Sequence, residues 1–542
     1  MTNSISEVED AASLLVIGSN TTVGHPIIGL KVKAAVRKGA KLIVANPREI
    51  DLCRWADIWL QHKPGTDVAL LGGMMRVILD EGLADEAFIA ERCENYEEFR
   101  NSLAEFDLDW VAKTTRVPKE QIVAAARLYA QNRPAMLLYT LGITQHTHGV
   151  DNVLSAANLT MMTGNIGKPS SGTNPLRGAN NVQGACDMGG LPNVYPAYQA
   201  VTDGANKSKF EAAWSSTLDD KVGLTLLEIF DAAHAGKLKA LYIMGENPAA
   251  SDPDASHVRE AIKHVDFVVV QDIFLTETAQ LADVVLPSAS FAEKDGTFTN
   301  TERRVQRVRK AVEPPGEAKP DWQIICELAK AMGKSGFDFT HPSEIMAEIA
   351  RVAPSYGGIS YDRLEAGGLQ WPCPTPDHPG TPILHVGKFT RGLGKFTAVK
   401  YRPSAEDSDE AYPLLLTTGR SLFHFHTGTM TRKARGLNFV HKEEQVEINP
   451  ADAELLGIAN GDLVRVVSRR GQVEVKAKVT RRSAPGVVFM TFHFAETSAN
   501  FLTNPAYDPV AKTPELKVCA VRVEKVAKPE PEPVAAGTER QA

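Results

Sequence analysis

Leu14-Leu15-Val16-Ile17-Gly18-Ser19-Asn20, then residues 27–38, then Lys41-Leu42-Ile43-Val44-Ala45-Asn46-Pro47-Arg48 form the stretch from which the fold class follows. Two short apolar runs flank a segment whose apolar positions Ile27, Ile28, Val32, Ala35 and Val36 recur at helical spacing and which Gly39 closes. Strand, helix, strand is a βαβ unit, and such units build parallel sheets whose ligands sit outside the carboxyl ends of the strands. Both strand ends are polar here, Gly18-Ser19-Asn20 and Asn46-Pro47-Arg48, so a nucleotide can lie across them. The first turn carries no GxGxxG, so this is not a standard dinucleotide fingerprint, and ordinary strand-to-helix turns fit the same residues.

The pattern continues outward. Pro64-Gly65-Thr66-Asp67 makes a turn and caps a helix that Gly82 stops. Helices are expected over residues 85–105 and 119–131, and a strand over 135–140 runs into a loop containing Gly142, Gln145, His146 and His148. No carboxylate or thiolate stands near the two histidines in sequence, so loop or hydrogen-bonding roles are expected rather than metal ligation. A second α/β pattern has a strand over 240–244 ending in Gly245-Glu246-Asn247-Pro248, a helix over 255–263, a strand over 267–270 ending in Gln271-Asp272, and a strand over 284–286. Two sets of polar strand-end loops call for a large or two-part ligand.

Past a segment rich in proline and glycine, the period changes to two. Strands are expected over 412–417, 445–448, 463–467, 472–479 and 486–490, with Val473, Val475, Ala477 and Val479 alternating with polar residues, which reads as a small β-barrel. Its conspicuous loops hold Thr418, Gly419, Arg420, His424, His426, Thr427 and Thr431 in one, and His493 and Asn500 in the other. The expected fold class is α/β, with two Rossmann-like parallel-sheet units, the second incomplete, followed by a C-terminal β-barrel. Its divisions are a Rossmann-like dinucleotide-binding domain (1–177), part of a second α/β dinucleotide-binding domain (178–290), an irregular crossing segment with a helix (291–408), the barrel (409–525) and a disordered tail (526–542).

Composition narrows the function classes. The chain has 542 residues, 43% hydrophobic and 23% charged, ordinary for globular domains. A net charge of -7 argues against nucleic-acid binding. The densest basic run, from Arg303 to Lys310, reads as a solvated face or a subunit contact. Cys53, Cys93, Cys186, Cys326, Cys373 and Cys519 are scattered with no CxxC, which suits a reducing, cytoplasmic setting and supports no cysteine-ligated metal site within the chain. No apolar run is long enough to span a membrane.

One further stretch, Arg177-Gly178-Ala179-Asn180-Asn181-Val182-Gln183-Gly184-Ala185-Cys186-Asp187-Met188-Gly189-Gly190, is poor helix or strand but good loop chemistry. Glycine lets backbone approach a ligand, amides donate and accept, and an Arg fork fits a carboxylate. From composition alone a glycine-rich surface turn fits as well. Together with Asn46, Asp67, Glu246, Asn247, Gln271 and Asp272, which suit base edges and ribose hydroxyls, these loops can surround an extended, phosphate-bearing ligand.

The Arg177 stretch, with His426-Thr427-Gly428-Thr429-Met430-Thr431-Arg432, resembles the catalytic subunit of molybdenum- or tungsten-dependent formate dehydrogenase. Pro64-Gly65-Thr66-Asp67, Gly245-Glu246-Asn247-Pro248, Gln271-Asp272-Ile273-Phe274-Leu275-Thr276 and residues 512–523 add to it, so the resemblance covers nearly the whole chain. The His426 motif is shared with molybdenum nitrate reductases.

The resemblance implies formate oxidation to carbon dioxide with a bis-molybdopterin guanine dinucleotide carrying molybdenum or tungsten. It implies Arg177 as the catalytic, substrate-orienting residue. One guanosine would lie on the loops of Gly18, Ser19, Asn20, Asn46, Arg48, Gly65 and Asp67, the other on those of Gly245, Glu246, Asn247, Gln271 and Asp272. The loop with Gly142 and Gln145, the barrel loops and Lys517 would close over the pterins.

Three departures stand out. The family's metal-ligating cysteine or selenocysteine, with its following histidine, would precede Met1; so would the iron-sulfur cluster motif; and the usual Asp before Pro47-Arg48 is Asn46. The expectation is a C-terminal portion with no metal ligand of its own, inactive alone and prone to poor solubility. A frame started after a selenocysteine codon, a split enzyme or a degenerate gene would each produce it. Its partners would be formate and either the N-terminal half or electron-transfer subunits. A nitrate reductase or other bis-molybdopterin oxidoreductase, and a non-catalytic pterin-nucleotide carrier, are the alternatives.

Overall fold

Every residue of the strand Ser13–Ile17 is buried, which is why it reads as an unbroken apolar run rather than an alternating one. In this computed structural model, which describes residues 1–526, that strand pairs in parallel with Lys41–Ala45 on one side and Ala135–Tyr139 on the other. Ile58–Leu60 and Gly172–Pro175 extend the sheet at its edges, also in parallel. Leu15, Ile17 and Ile43 pack with Met74, Ile78 and Leu159 on one face, and Leu14, Val16 and Val44 pack with Ile28 and Val32 on the other. Strand order reverses at Ser13–Ile17, and such a switch point opens a crevice at the carboxyl ends.

The second α/β unit has three parallel strands in the order Val284–Pro287, Phe267–Asp272, Ala240–Met244. Helices Leu226–His234 and Ala255–Lys263 cover one face through Phe230, Val258 and Ile262 against Val268 and Val270. On the opposite face of these strands Tyr242, Met244 and Val284 stay 42%, 45% and 39% exposed. Parallel sheets ordinarily bury both faces, so this one is half clothed.

The third unit is a closed barrel of six strands in the order Leu414–Gly419, Val487–Thr491, Gln445–Ile448, Gln472–Val479, Leu463–Val467, Cys519–Lys525. The period-two reading holds in detail: Val473, Val475 and Ala477 are core residues between exposed polar neighbours, while Val479 is half-buried. The fold class is therefore α/β parallel-sheet units with a C-terminal β-barrel.

Several expectations need correction. The helix expected over 85–105 is two, Glu86–Arg92 and Tyr96–Ser102, because Asn95 takes a left-handed turn (φ 66°) that asparagine tolerates. The segment 291–408 is more regular than expected: Gly296–Thr299 and Arg304–Val308 form a hairpin, Leu369–Gln370 adds a third strand, and helices span Asp321–Ala331 and Pro342–Val352. Nor is the basic run a uniformly solvated face. Arg303 is 2% exposed and donates to the carbonyls of Met1, Thr381 and Pro382, while Arg307 and Arg309 pair with Glu365. Apart from residue 526, the expected tail lies outside the described residues. Among the described residues no helix is long and apolar enough to cross a membrane.

Candidate functional site

Where the switch point meets the barrel, a cleft opens. The two units are clamped by Arg48, whose Nε and Nη2 donate to Glu447 of the barrel at 2.7 and 2.9 Å while its guanidinium stacks 3.9 Å over Phe489. Gly18 and Gly142 shape the floor. Gly18 has φ +55°, and a Cβ there would fall 2.6 Å from Ile143 Cγ2; one on Gly142 would fall 2.2 Å from the Gly18 carbonyl oxygen. Only glycine lets these two strand-end loops meet, and the Gly142 N–H donates to that carbonyl at 3.0 Å.

The structure brings together Gly18, Ser19, Asn20, Asn46, Arg48, Gly65 and Asp67 from the first unit's early loops, as the sequence pattern led us to expect. Gly142 joins them, and so do Thr418, Gly419, Arg420 and Lys517 from the barrel. Gln145 does not line the cleft. His25, His62, His146, Phe489 and Phe492 do line it, without having been expected there. His25 and His62 belong to no motif, and the barrel aromatics read as ordinary strand residues.

Arg420 and Lys517 have no ion-pair partner among the described residues. Lys517 Nζ donates only to the Thr418 carbonyl and hydroxyl, at 3.0 and 3.2 Å. Enclosure in the cleft, aided by Arg420, brings the Lys517 ammonium down to about 7. Enclosure also lowers Arg420. Two cations without a counter-ion, a buried His25 Nδ1 without a partner and a glycine floor that any Cβ would fill fit a phosphate-bearing ligand.

Arg177 stands at the rim. Its backbone N–H donates to Thr301 Oγ1 at 2.9 Å, and its carbonyl accepts from His25 Nε2 at 2.8 Å. Its half-buried guanidinium meets Cys186 Sγ at 3.1 Å and no carboxylate. A Cβ on the next residue, Gly178, would fall 2.7 Å from Arg420 Nη1, so this loop lies directly against the cleft's cation. Asp187 anchors the following helix, Val182–Asp187, by accepting from Gln183, Tyr198, Tyr356 and Trp371.

The remaining predicted residues gather elsewhere. Gly245 donates to the Gln271 carbonyl at 2.9 Å, and Asn247 bonds Thr278 and, across to the barrel loop, Thr429 Oγ1 at 3.3 Å. Burial, with Asp272 close by, raises the Glu246 carboxyl, and burial raises Asp272 as well. Asn500 ties the barrel to the same unit through the Ala250 and Ser251 carbonyls. The barrel loop bonds largely to itself: His424 meets Thr431 Oγ1 at 3.1 Å, and His493 accepts from the Ser421 N–H at 2.8 Å while its Nδ1 faces the His426 carbonyl. Thr427 packs against Thr429 in the same loop.

Residues 1–331 match the family model described as Molybdopterin oxidoreductase, and residues 414–520 match the Molydopterin dinucleotide binding domain. The chain belongs to the molybdopterin oxidoreductases. The cleft lies between the two matched regions. Among this oxidoreductase's relatives, F420-dependent formate dehydrogenase 1 subunit alpha of Methanococcus maripaludis is 53% identical over 530 residues, covering 97% of this chain and 78% of the relative. Formate dehydrogenase H of Escherichia coli is 41% identical, with 97% and 74% covered. Among solved structures, acetylene hydratase from Pelobacter acetylenicus superposes with a TM-score of 0.75 at 22% identity, over 96% of this chain and 81% of that one, a likeness of fold.

Proposed function

We propose that this molybdopterin oxidoreductase oxidises formate to carbon dioxide, each HCOO⁻ yielding CO₂, one proton and two electrons. The observation that supports it best is Arg177, whose backbone is fixed by His25 and Thr301 and whose half-buried guanidinium has no carboxylate partner among the described residues, in a chain 53% identical to a formate dehydrogenase alpha subunit. A planar guanidinium holds a carboxylate in bidentate fashion and so orients its C–H bond. Arg420 and Lys517 would neutralise the phosphates of one molybdopterin guanine dinucleotide, with Asp67 and Asn46 at its base. Glu246, Asn247, Gln271 and Asp272 would hold the second. When bound, the metal of that cofactor, molybdenum or tungsten, takes up the two electrons.

None of the six cysteines lines the cleft. Burial pushes the thiols of Cys53 and Cys93 up to about 11 and that of Cys519 up to about 12, and Cys186 is held by Arg177. The proposal therefore takes the metal-ligating thiolate or selenolate and the iron-sulfur cluster from outside these 542 residues. It also has electrons pass to partner subunits in the reducing cytoplasm, and no turnover by this chain alone. The test is formate-dependent dye reduction by the assembled enzyme. Arg177→Lys, which keeps charge but loses the fork, is expected to lower kcat/KM about 100-fold. Undiminished formate turnover by the variant, or turnover of nitrate instead, would sink the reading.

A further inference from the structure

Asp67 opens the helix Asp67–Asp80 and lines the cleft, yet only 1% of it is exposed. A carboxylate so enclosed needs partners to stay charged. One of its oxygens has one: His62 Nε2 lies 3.0 Å from Oδ1. The other ring nitrogen of His62 faces the carbonyl of Leu60 at 3.4 Å, so the imidazole ties Asp67 to the last residue of the strand Ile58–Leu60. Oδ2 makes no hydrogen bond with any described residue. His146 Nε2 lies 4.0 Å from it and is already bonded to the Gly142 carbonyl at 2.8 Å.

The surroundings of this carboxylate are unusual for an acid that faces a ligand site. His146 and His148 stack behind it with ring centroids 5.2 Å apart, both 1% exposed. His146 Nδ1 and both nitrogens of His148 lack a partner. Lys517 acts on His146, Tyr401 lies within reach of Asp67, and Asp151, Arg402 and Asp508 act on His148 from its outer side. Burial drives His146 down to about 4 and lowers His148. Burial by itself raises the Asp67 carboxyl; the charge and hydrogen bond of His62, then His146 and His148, overcome it and hold Asp67 below the ordinary carboxylate range. The N-terminus of its own helix favours the same charge.

We infer that His62 is a positioning residue for base recognition: it fixes Asp67 so that Oδ2 is presented, ionised, to a nucleobase edge with two adjacent N–H donors, as on guanine. This rests on the dinucleotide reading of the cleft and adds to it the device that makes the cleft selective. Adenine offers one donor beside an acceptor nitrogen, which a carboxylate repels. Without His62 the carboxyl would stay buried but lose its main counterweight, and would hold its proton more tightly.

The experiment uses the full chain purified without cofactor, GDP and ADP as probes, and equilibrium dialysis from pH 6 to 8. Wild type is expected to prefer GDP with an affinity that changes little over this range. His62→Ala is expected to weaken GDP binding about tenfold at pH 6, a loss that shrinks towards pH 8 as the carboxyl ionises. His62→Gln, whose amide can donate to Oδ1, is expected to recover affinity to within about threefold. Asp67→Asn is expected to lose the preference for GDP over ADP. A loss in His62→Ala that is equal at pH 6 and pH 8 and not rescued by glutamine would show a merely structural role and overturn the inference. So would unchanged binding in His62→Ala, or retained preference in Asp67→Asn. If wild type binds no GDP at all, the dinucleotide reading falls first and takes this inference with it.

Discussion

Replacing Arg48 with methionine tests how the barrel is held against the first α/β unit. Arg48 and Glu447 are 9% and 7% exposed at their side chains and joined by two hydrogen bonds, so removing the cation strands a buried carboxylate, a loss of about 3–5 kcal/mol for an isolated pair. Here Lys478 and Arg482 lie 3.3 and 3.5 Å from the same Glu447 oxygen, themselves 46% and 35% exposed, and soften the loss. Stacking on Phe489 contributes about 1 kcal/mol more, part of which the methionine stem retains. The net expectation is about 3 kcal/mol.

The assay is denaturant-dependent hydrogen exchange of peptides spanning residues 46–50 and 445–448, because a chain of several units need not unfold in one step. The double variant with Glu447→Met should be less damaged than the sum of the two single variants, since it leaves no orphaned charge. The sign with pH follows from Glu447: burial raises its carboxyl, but Arg48 reverses this and holds it below the ordinary value. The pair's contribution is therefore fully present above the unfolded pKa of about 4.3 and fades as pH falls through the folded value. A single-variant cost under about 1 kcal/mol, or strict additivity in the double variant, would refute the reasoning.

Other outcomes follow from the same geometry. Glu444, pushed by burial up to about 7, keeps its proton in the folded state when the unfolded chain has lost it, so stability should fall by about 3 kcal/mol as pH rises from 4.3 to 7; thermal melts of Glu444→Gln should show this slope flattened. Gly142→Ala puts a Cβ 2.2 Å from the Gly18 oxygen and should displace the two loops, abolishing nucleotide binding in dialysis while the barrel's exchange protection is unchanged. Met244→Lys with Val284→Lys on the uncovered sheet face should reduce dye binding and light scattering of the isolated chain; unaltered scattering would mean that this face does not drive association.

The parts of the fold legible in the sequence are those where burial leaves a periodic trace. Residues 14–17 are apolar throughout because both sheet faces are covered, and Gln472–Val479 alternates because only one face is. Gly172–Pro175, spelled Gly-Thr-Asn-Pro, carries no such trace, since this edge strand is held mainly by backbone pairing to Ala135–Tyr139. The closing strand Cys519–Lys525 was hidden by the polar loop before it. In the site, glycines and Asn-Pro-Arg turns at strand ends were readable because their backbone roles are local. His62 and His146 were not, because their meaning depends on Asp67, and nothing in local spacing brings Asp67 beside His146.

The clamp between Arg48 and Glu447 joins residues 399 positions apart, and the cleft is walled by Gly18 at one extreme and Lys517 at the other. On the ribosome, the first sheet can be complete once Pro175 has emerged, but the opposite wall does not exist until the last barrel strand is made. The site thus comes into being only once the barrel has been made. Loading of any ligand between the units must follow the synthesis of both walls.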